Sequence, residues 1–379
     1  YLGIYLLGEK IKQDKNRVDI SKLNPDETSG DDLTGGYVFS NDYYDSYNSW
    51  TSNFSPLNKP GGDVHFVYVD PKPSELNQIQ KTYLQNFVNS FEQVLYSSSF
   101  ADPVSGYRAY LDAGSFIDYF ILQELSRNVD GYKKSRYYYK DKDSKGGTIN
   151  SGPPWDFDWA YKDVLEGCIH LDATDGSGWA YRVNECDVFP VPPSWEVRLI
   201  EDDNFANRIH DRYFKLRNTY LSETYLHHVI DSVASLLDEA QQRHYEKWPI
   251  LGINVGTAES GEQPLTFAGD IEKFKSWINR RLMWLDENMI GQATGNEEET
   301  ARPVFRIFPN PASDYLYVES DDIIRQVSVY SLTGILLNDL KDTGRYTISV
   351  DVSGMKPGLY IINVNTASGK IFSSKFLKK

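Results

Sequence analysis

Between residues 291 and 303 the sequence reads GQATGNEEETARP, and every pattern that runs through the rest of the chain stops there. The stretch is small, polar and acidic and has no apolar period, so neither a helix nor a strand can bury a face in it. Such a segment separates two cores, and 379 residues are enough to build both. The expected organisation is one domain over 1–290, a linker over 291–303 and a second domain over 304–379.

The two halves differ in period. Before the break, apolar runs at YLGIYLL, TGGYVFS and DVHFVYV read as strands and the rest is mostly helical, giving an α+β domain. Ser74 can cap a helix whose apolar residues are Leu76, Ile79, Tyr83, Phe87, Phe91 and Val94. A second helix spans about Asp112 to Arg127. Later ones cover Asn204 to Asn218, Ser222 to Lys247 and Asp270 to Met289, the last burying Trp277, Ile278, Leu282 and Leu285 with Asp270 as its cap. After the break, about seven short alternating stretches in some 75 residues predict a small all-β sandwich.

The stretch NVDGYKKSRYYYKDKDSKGGTINSGPPWDFDWA, residues 128–160, carries the candidate chemistry. It predicts a loop with Asp130, a strand from Ser135 to Lys140, a Gly-rich turn, a second strand and a Pro-Pro exit into Asp156 and Asp158. Hairpin pairing would return the chain to its start and bring the two carboxylate sites together. Phosphoryl transfer needs little more: one carboxylate takes the attacking hydroxyl's proton and another holds Mg2+ against phosphates. Mg2+ keeps several waters, so one or two carboxylates suffice. By residue type alone the plainer reading is favoured: Asp-Gly is a common turn pair, and an Asp after Pro-Pro-Trp can simply cap a turn.

Five pieces in order resemble the CotH kinase family, the spore-coat-type atypical protein kinases. They are YLGIYLLGEKI (1–11), TGGYVFSND (34–42), SFIDYFILQELSRNVDGY (115–132), GPPWDFDWA (152–160) and FKSWINRRLMWL (274–285). The resemblance implies an atypical protein-kinase-like domain that binds Mg2+ and ATP, with Asp130 as the catalytic-loop Asp. Asp156 matches the metal-binding Asp, with Asp158 in reserve for the metal and Glu9 on the nucleotide side. Where kinases place a metal-holding Asn five residues after the catalytic Asp, this chain has Ser135. Kinase-like folds set the Gly-rich loop and phosphate-binding Lys ahead of a strand like the one at Tyr1, so the resemblance implies an N-terminally truncated domain. Lys133 and Lys134 read as a solvated loop face.

The charge balance excludes one class of partner. With 39 Lys and Arg against 54 Asp and Glu, a net of −15, the chain lacks the clustered basic surface that nucleic-acid binding needs. The aromatic loop NDYYDSYNSW (41–50) fits packing on the fold's own surface or contact with glycans and proteins. The two cysteines, Cys168 and Cys186, fit one disulfide across an eighteen-residue excursion, itself part of an irregular stretch, 161–194, that reads as a lid or specificity loop. No stretch has the length of a membrane-spanning helix.

The segment FPNPASDYLYV, the VYSLTG turn and MKPGLYIINV with its short basic tail are similar to the C-terminal sorting domain of the type IX secretion system. That resemblance implies handling by the type IX machinery and a secreted or outer-membrane surface location. The expected function is Mg2+-ATP-dependent transfer to a hydroxyl of a protein substrate. A non-catalytic kinase-like scaffold for surface binding or adhesion is the alternative, and a glycan-acting carboxylate enzyme is a third class without a recognisable motif.

Overall fold

The computed structural model describes residues 2–256, 259–294, 305–367, 369 and 371–379. Contacts divide the chain into two compact units, Tyr1–Thr294 and Gly295–Lys379. Residues 295–303 of the expected linker lie outside the described residues. Its first residues continue the earlier unit, because the Gln292 amide donates to Asn207 and the Thr294 hydroxyl to Asp211.

An antiparallel five-stranded sheet organises the first unit. Its strands are β1 (Tyr37–Asn41), β2 (Ser49–Thr51), β3 (His65–Asp70), β4 (Arg136–Lys140) and β5 (Ile149–Ser151), in the order β2-β3-β1-β4-β5. Every residue of the central β1 is buried, and β4 alternates, burying Arg136, Tyr138 and Lys140. One face meets Trp195, which is fully buried and has Phe66, Phe91 and Tyr138 within 5.3 Å. Ile11, Val18 and Ile20 cover the other face at Val38.

The expected strand at YLGIYLL does not form among its described residues: residues 2–12 carry no regular structure, and Leu6 and Leu7 are almost fully exposed. An apolar run becomes a strand only where a neighbour takes its backbone hydrogen bonds, and among the described residues none pairs with this one.

Helix α1 (Gln78–Leu95) starts later than expected. Its cap is Asn77 rather than Ser74, in a reciprocal capping box with Gln80. The face it buries is Leu84, Val88, Phe91 and Leu95, leaving Ile79 exposed. Helix α2 (Ala113–Ser126) is capped by Asp112 and ends where Arg127 turns left-handed at φ 53°. A one-turn helix, α3 (Asp130–Lys133), leads into β4.

After β5 come α4 (Trp195–Leu199), α5 (Asp203–Arg217), α6 (Glu223–Leu236), α7 (Asp238–Lys247) and α8 (Phe267–Asn288). The single helix expected over Ser222 to Lys247 is thus two, meeting at Leu237. Helix α8 is capped by Thr266, not Asp270, and buries Trp277, Ile278, Leu282 and Leu285 as expected.

The irregular stretch before α4 is not a lid. Cys168 and Cys186 are bridged, and two buried guanidiniums tie the stretch to the helices. Arg127 donates to the carbonyls of Ser177, His170, Ile169 and Asp172. Arg281 donates to those of Gly176 and Gly178 and pairs at 3.1 Å with Glu124, whose carboxylate also accepts the Ala180 and Tyr181 amides. Ala180 and Val183 are core residues.

The second unit is all-β, with five strands among the described residues instead of seven short ones: β6 (Phe305–Phe308), β7 (Tyr315–Ser331), β8 (Leu336–Asp351), β9 (Gly358–Thr366) and β10 (Ile371–Lys378). DYLYVES and VSVYS run on as one strand, β7, whose pairing with β8 slips between Glu319 and Ile324. The break that looks like a turn in the sequence is an irregularity inside a long hairpin. Leu316, Val318, Val327, Val329, Val350, Ile362, Val364 and Phe376 form its core.

Candidate functional site

Local geometry at the ends of α2 and β4 assembles the site. After the left-handed turn at Arg127 the chain runs through Asn128 into α3, which places Asp130 at its first position with 1 % exposure. Gly131 follows because the wall is close: a Cβ there would stand 2.3 Å from the Gln123 amide oxygen of α2. The Tyr119 hydroxyl holds the Gly131 carbonyl at 2.9 Å.

Asp130 is neutralised by two lysines. Its carboxylate oxygens lie 2.6 Å from Lys133 Nζ and 3.1 Å from Lys134 Nζ. The lysines are therefore not a solvated loop face; they are 15 % and 20 % exposed and converge on the buried charge. Asn128 Oδ1 is buried as well and has no hydrogen-bond partner.

The hairpin of β4 and β5 then does what its pairing dictates. Tyr138 faces Ser151 and Lys140 faces Ile149, so the chain leaving Ser151 returns to the start of β4. There Ser135 Oγ donates to Asp156 Oδ2 at 3.1 Å, and Asn128 Nδ2 donates to the Asp156 carbonyl at 3.1 Å. Ser135 and Asp156 both have positive φ, 52° and 61°, a conformation that non-glycine residues adopt at a cost.

Asp156 is held above the ordinary carboxylate range. Partial burial is the first cause, followed by the shared hydrogen bond and like charge of Asp158, with Asp130 adding to it and Ser135 opposing it. Asp130, Ser135, Asp156 and Asp158 thus gather at one place. Glu9 does not join them; it is exposed and paired with Arg17.

Asp42 is a further acidic member. It lies against the backbone N–H of Ser135, and burial raises its pKa while Lys134 pulls it down and Asp130 pushes it up. Beside it Tyr43 lies under Lys134 Nζ, 5.5 Å from ring centre to nitrogen. The aromatic loop packs largely on its own surface, with Tyr44 stacked 3.6 Å from His65 and Trp50 against Phe66 and Tyr68.

As a donor set the cluster suits a hard divalent cation. Carboxylates whose mutual repulsion raises a pKa, beside a hydroxyl oxygen, are oxygen ligands of the kind Mg2+ takes. Among the described residues no three His, Cys, Asp or Glu side chains form a cage. Asp130 also borders a cavity of about 80 Å³, walled by Lys133, Trp159 and Lys162, while its carboxylate oxygens are closed to solvent.

The family model for the CotH kinase protein matches residues 1–285. The chain belongs to the CotH kinase family. The model for the secretion system C-terminal sorting domain matches residues 306–379, so this CotH protein carries a type IX sorting tail and is secreted or attached at the cell surface. Among its described residues no helix is long and apolar enough to cross a membrane.

No curated protein matches the CotH chain significantly. Among solved structures, an immunoglobulin-like β-sandwich protein of Bacteroides vulgatus is 12% identical, covering 20% of this chain and 84% of its own, with a TM-score of 0.17. CopC of Methylosinus trichosporium is 12% identical over 20% of this chain and 91% of its own, with a TM-score of 0.16. Scores of that size carry no argument.

In this CotH protein the acids nearest in sequence, Asp156 and Asp158, were visible as a pair. Asp42 was not, because only strand pairing sets the end of β1 beside the start of β4, where Asn41 faces Arg136. The signal available was its place at the end of the TGGYVFSND piece.

Proposed function

We propose that this exported CotH-family protein transfers the γ-phosphoryl group of ATP to a hydroxyl of a protein substrate. Asp130 is the group that accepts the hydroxyl's proton, and Asp156, with Ser135 and Asp158, holds Mg2+. The observation that carries the proposal is the meeting of Ser135 and Asp156, 3.1 Å apart, beside the buried Asp130. Bound Mg2+ would neutralise charge on the phosphates and lower the repulsion that now raises the Asp156 pKa.

The chain's own residues supply the remainder. As the acceptor oxygen forms its bond to phosphorus and the bond to the ADP oxygen breaks, the hydroxyl's proton passes to Asp130. Lys133 and Lys134, already on Asp130, carry positive charge to where a phosphoryl group would arrive. A cavity of about 80 Å³ lies beside Asp130, walled also by Lys133, Trp159 and Lys162.

One observation favours the rival reading, a binding or adhesion scaffold: two ammonium groups already neutralise Asp130, and a base must be free to take a proton. The test is phosphate incorporation from γ-labelled ATP into proteins of the cell surface, comparing the native chain with Asp130→Asn. Labelling lost with Asp130→Asn supports the enzyme. Equal labelling in both, or none with the native chain, leaves the scaffold.

A further inference from the structure

Beyond Asp158 the chain continues as Trp159, Ala160, Tyr161, Lys162 and Asp163, and this segment walls three cavities in succession. Lys162 is shared by the Asp130 cavity and a second one of about 310 Å³. That second cavity has Tyr161, Phe274 and Trp277 as its aromatic floor and Asp163, Asp270, Glu259 and Lys273 around it. Tyr161 and Phe274, edge to face at 5.4 Å, are shared in turn with a third cavity of about 340 Å³.

The third cavity is an apolar groove between α6 and α8. Leu226, Val229, Ile230 and Val233 line one side, Ile271 and Ile278 the other. Helix α6 buries none of its residues, and Val229 and Val233 are 42% and 50% exposed. A fourteen-residue helix with an open apolar face is unusual on a soluble surface and marks a contact site.

The segment that joins the cavities is fixed. The Tyr161 amide donates to the Ser126 carbonyl at 2.8 Å, at the end of α2, and Tyr161 holds a positive φ of 58°. The catalytic end and the groove therefore stand in one register. In the middle cavity Lys273 pairs with Glu259, and Asp163 is paired with Arg280 from outside it.

We propose that the three cavities form one track for an extended segment of the acceptor protein, with its hydroxyl at Asp130 and an apolar side chain anchored in the α6–α8 groove. This rests on the phosphotransferase reading. It adds that the substrate class is a protein with an apolar residue at a fixed distance from the modified hydroxyl. The middle cavity takes the intervening residues, and the apolar anchor supplies most of the binding.

The probe is a set of fluorescein-labelled peptides in a Gly/Asn/Gln host, each with one Ser and one Leu pair, at every spacing up to about ten residues on either side, since an extended chain advances ~3.3 Å per residue. Binding to the full chain is read by anisotropy without nucleotide. We expect a narrow band of spacings to bind at least about tenfold tighter than the Leu-free peptide. Val233→Glu, and the milder Val233→Gln, should abolish that preference, while Val104→Gln, exposed and outside all three cavities, leaves it intact.

Equal binding at all spacings, even if lost in Val233→Glu, overturns the track and makes the groove a general apolar patch. Self-association of the chain abolished by Val233→Glu overturns it in favour of a second copy as occupant. Spacing-selective binding without phosphate transfer to any peptide supports the track while the catalytic reading fails.

Discussion

Ser135 and Asp156, twenty-one residues apart, meet through a hydroxyl-to-carboxylate hydrogen bond of 3.1 Å, and both do so from left-handed backbone. The contact closes the β4–β5 hairpin onto the loop that carries Asp130. On the proposed metal-binding role of the acidic cluster, the side chain at 135 would help set how a cation is held. Ser135→Gly removes the hydroxyl without backbone strain, and Mg2+-ATP affinity should fall by about tenfold. Ser135→Asn, which also tolerates positive φ, should retain or raise it. Isothermal calorimetry on the three proteins decides this.

Cation binding at this cluster should also follow pH. Asp156 titrates above the ordinary carboxylate range, so it is still partly protonated where an unperturbed Asp has ionised. Mg2+ affinity should therefore keep rising with pH beyond that range before it levels off. In Asp158→Asn the repulsion is gone, and the rise should finish at lower pH. Identical pH profiles for the two proteins would separate Asp158 from the site.

Glu92 buries a carboxyl under the sheet, where burial raises its pKa to about 7 against the Ser52 and Trp195 hydrogen bonds that lower it. Between about 4.5 and 7 the folded chain holds a proton that the unfolded chain has lost, so this group's stability contribution is full below that window and falls as pH rises through it. The loss should be about 3 kcal/mol. Urea melts of the native chain and Glu92→Gln across the window read it directly: their difference should change by that amount, and parallel curves would contradict the assignment.

The Arg281–Glu124 pair is fully buried and anchors the disulfide-bearing stretch to α2 and α8. Arg281→Met leaves the Glu124 carboxylate without its counter-charge, at a cost of about 3–5 kcal/mol. Adding Glu124→Gln should restore part of it. A denaturant midpoint that hardly moves in the single variant would show that the stretch is a detachable lid after all.

Gly131 has no room for a methyl group beside Gln123. Gly131→Ala should cost about 1–3 kcal/mol through overpacking and should move Asp130, which sits in the same turn. Thermal melts give the first effect. Loss of phosphate transfer beyond the loss of folded protein gives the second.

Much of this arrangement was legible in the sequence where the signal is local. Asp112 with the apolar stripe that follows it specified α2, and the Gly-rich turn between KDKDS and TINSG specified the hairpin that carries Asp156 home. The signals that failed depend on distant partners. YLGIYLL has the composition of a strand and no partner strand among the described residues, while Leu237 ends a helix inside an unbroken polar-apolar pattern. Arg127 and Arg281 look like surface cations until the carbonyls of residues 169–178 close around them. Lys133 and Lys134 likewise have meaning only once α3 turns them onto Asp130.

The most direct test is the thermal shift of the native chain with Mg2+-ATP, beside Asp156→Gly, which removes the carboxylate at a positive-φ position without strain. With ligand at ~100-fold its Kd the native chain should melt about 5 °C higher or more, and Asp156→Gly should show no Mg2+-dependent rise. An unchanged melting temperature for the well-folded native chain, or an equal rise in both proteins, would contradict a nucleotide–metal site at Asp156.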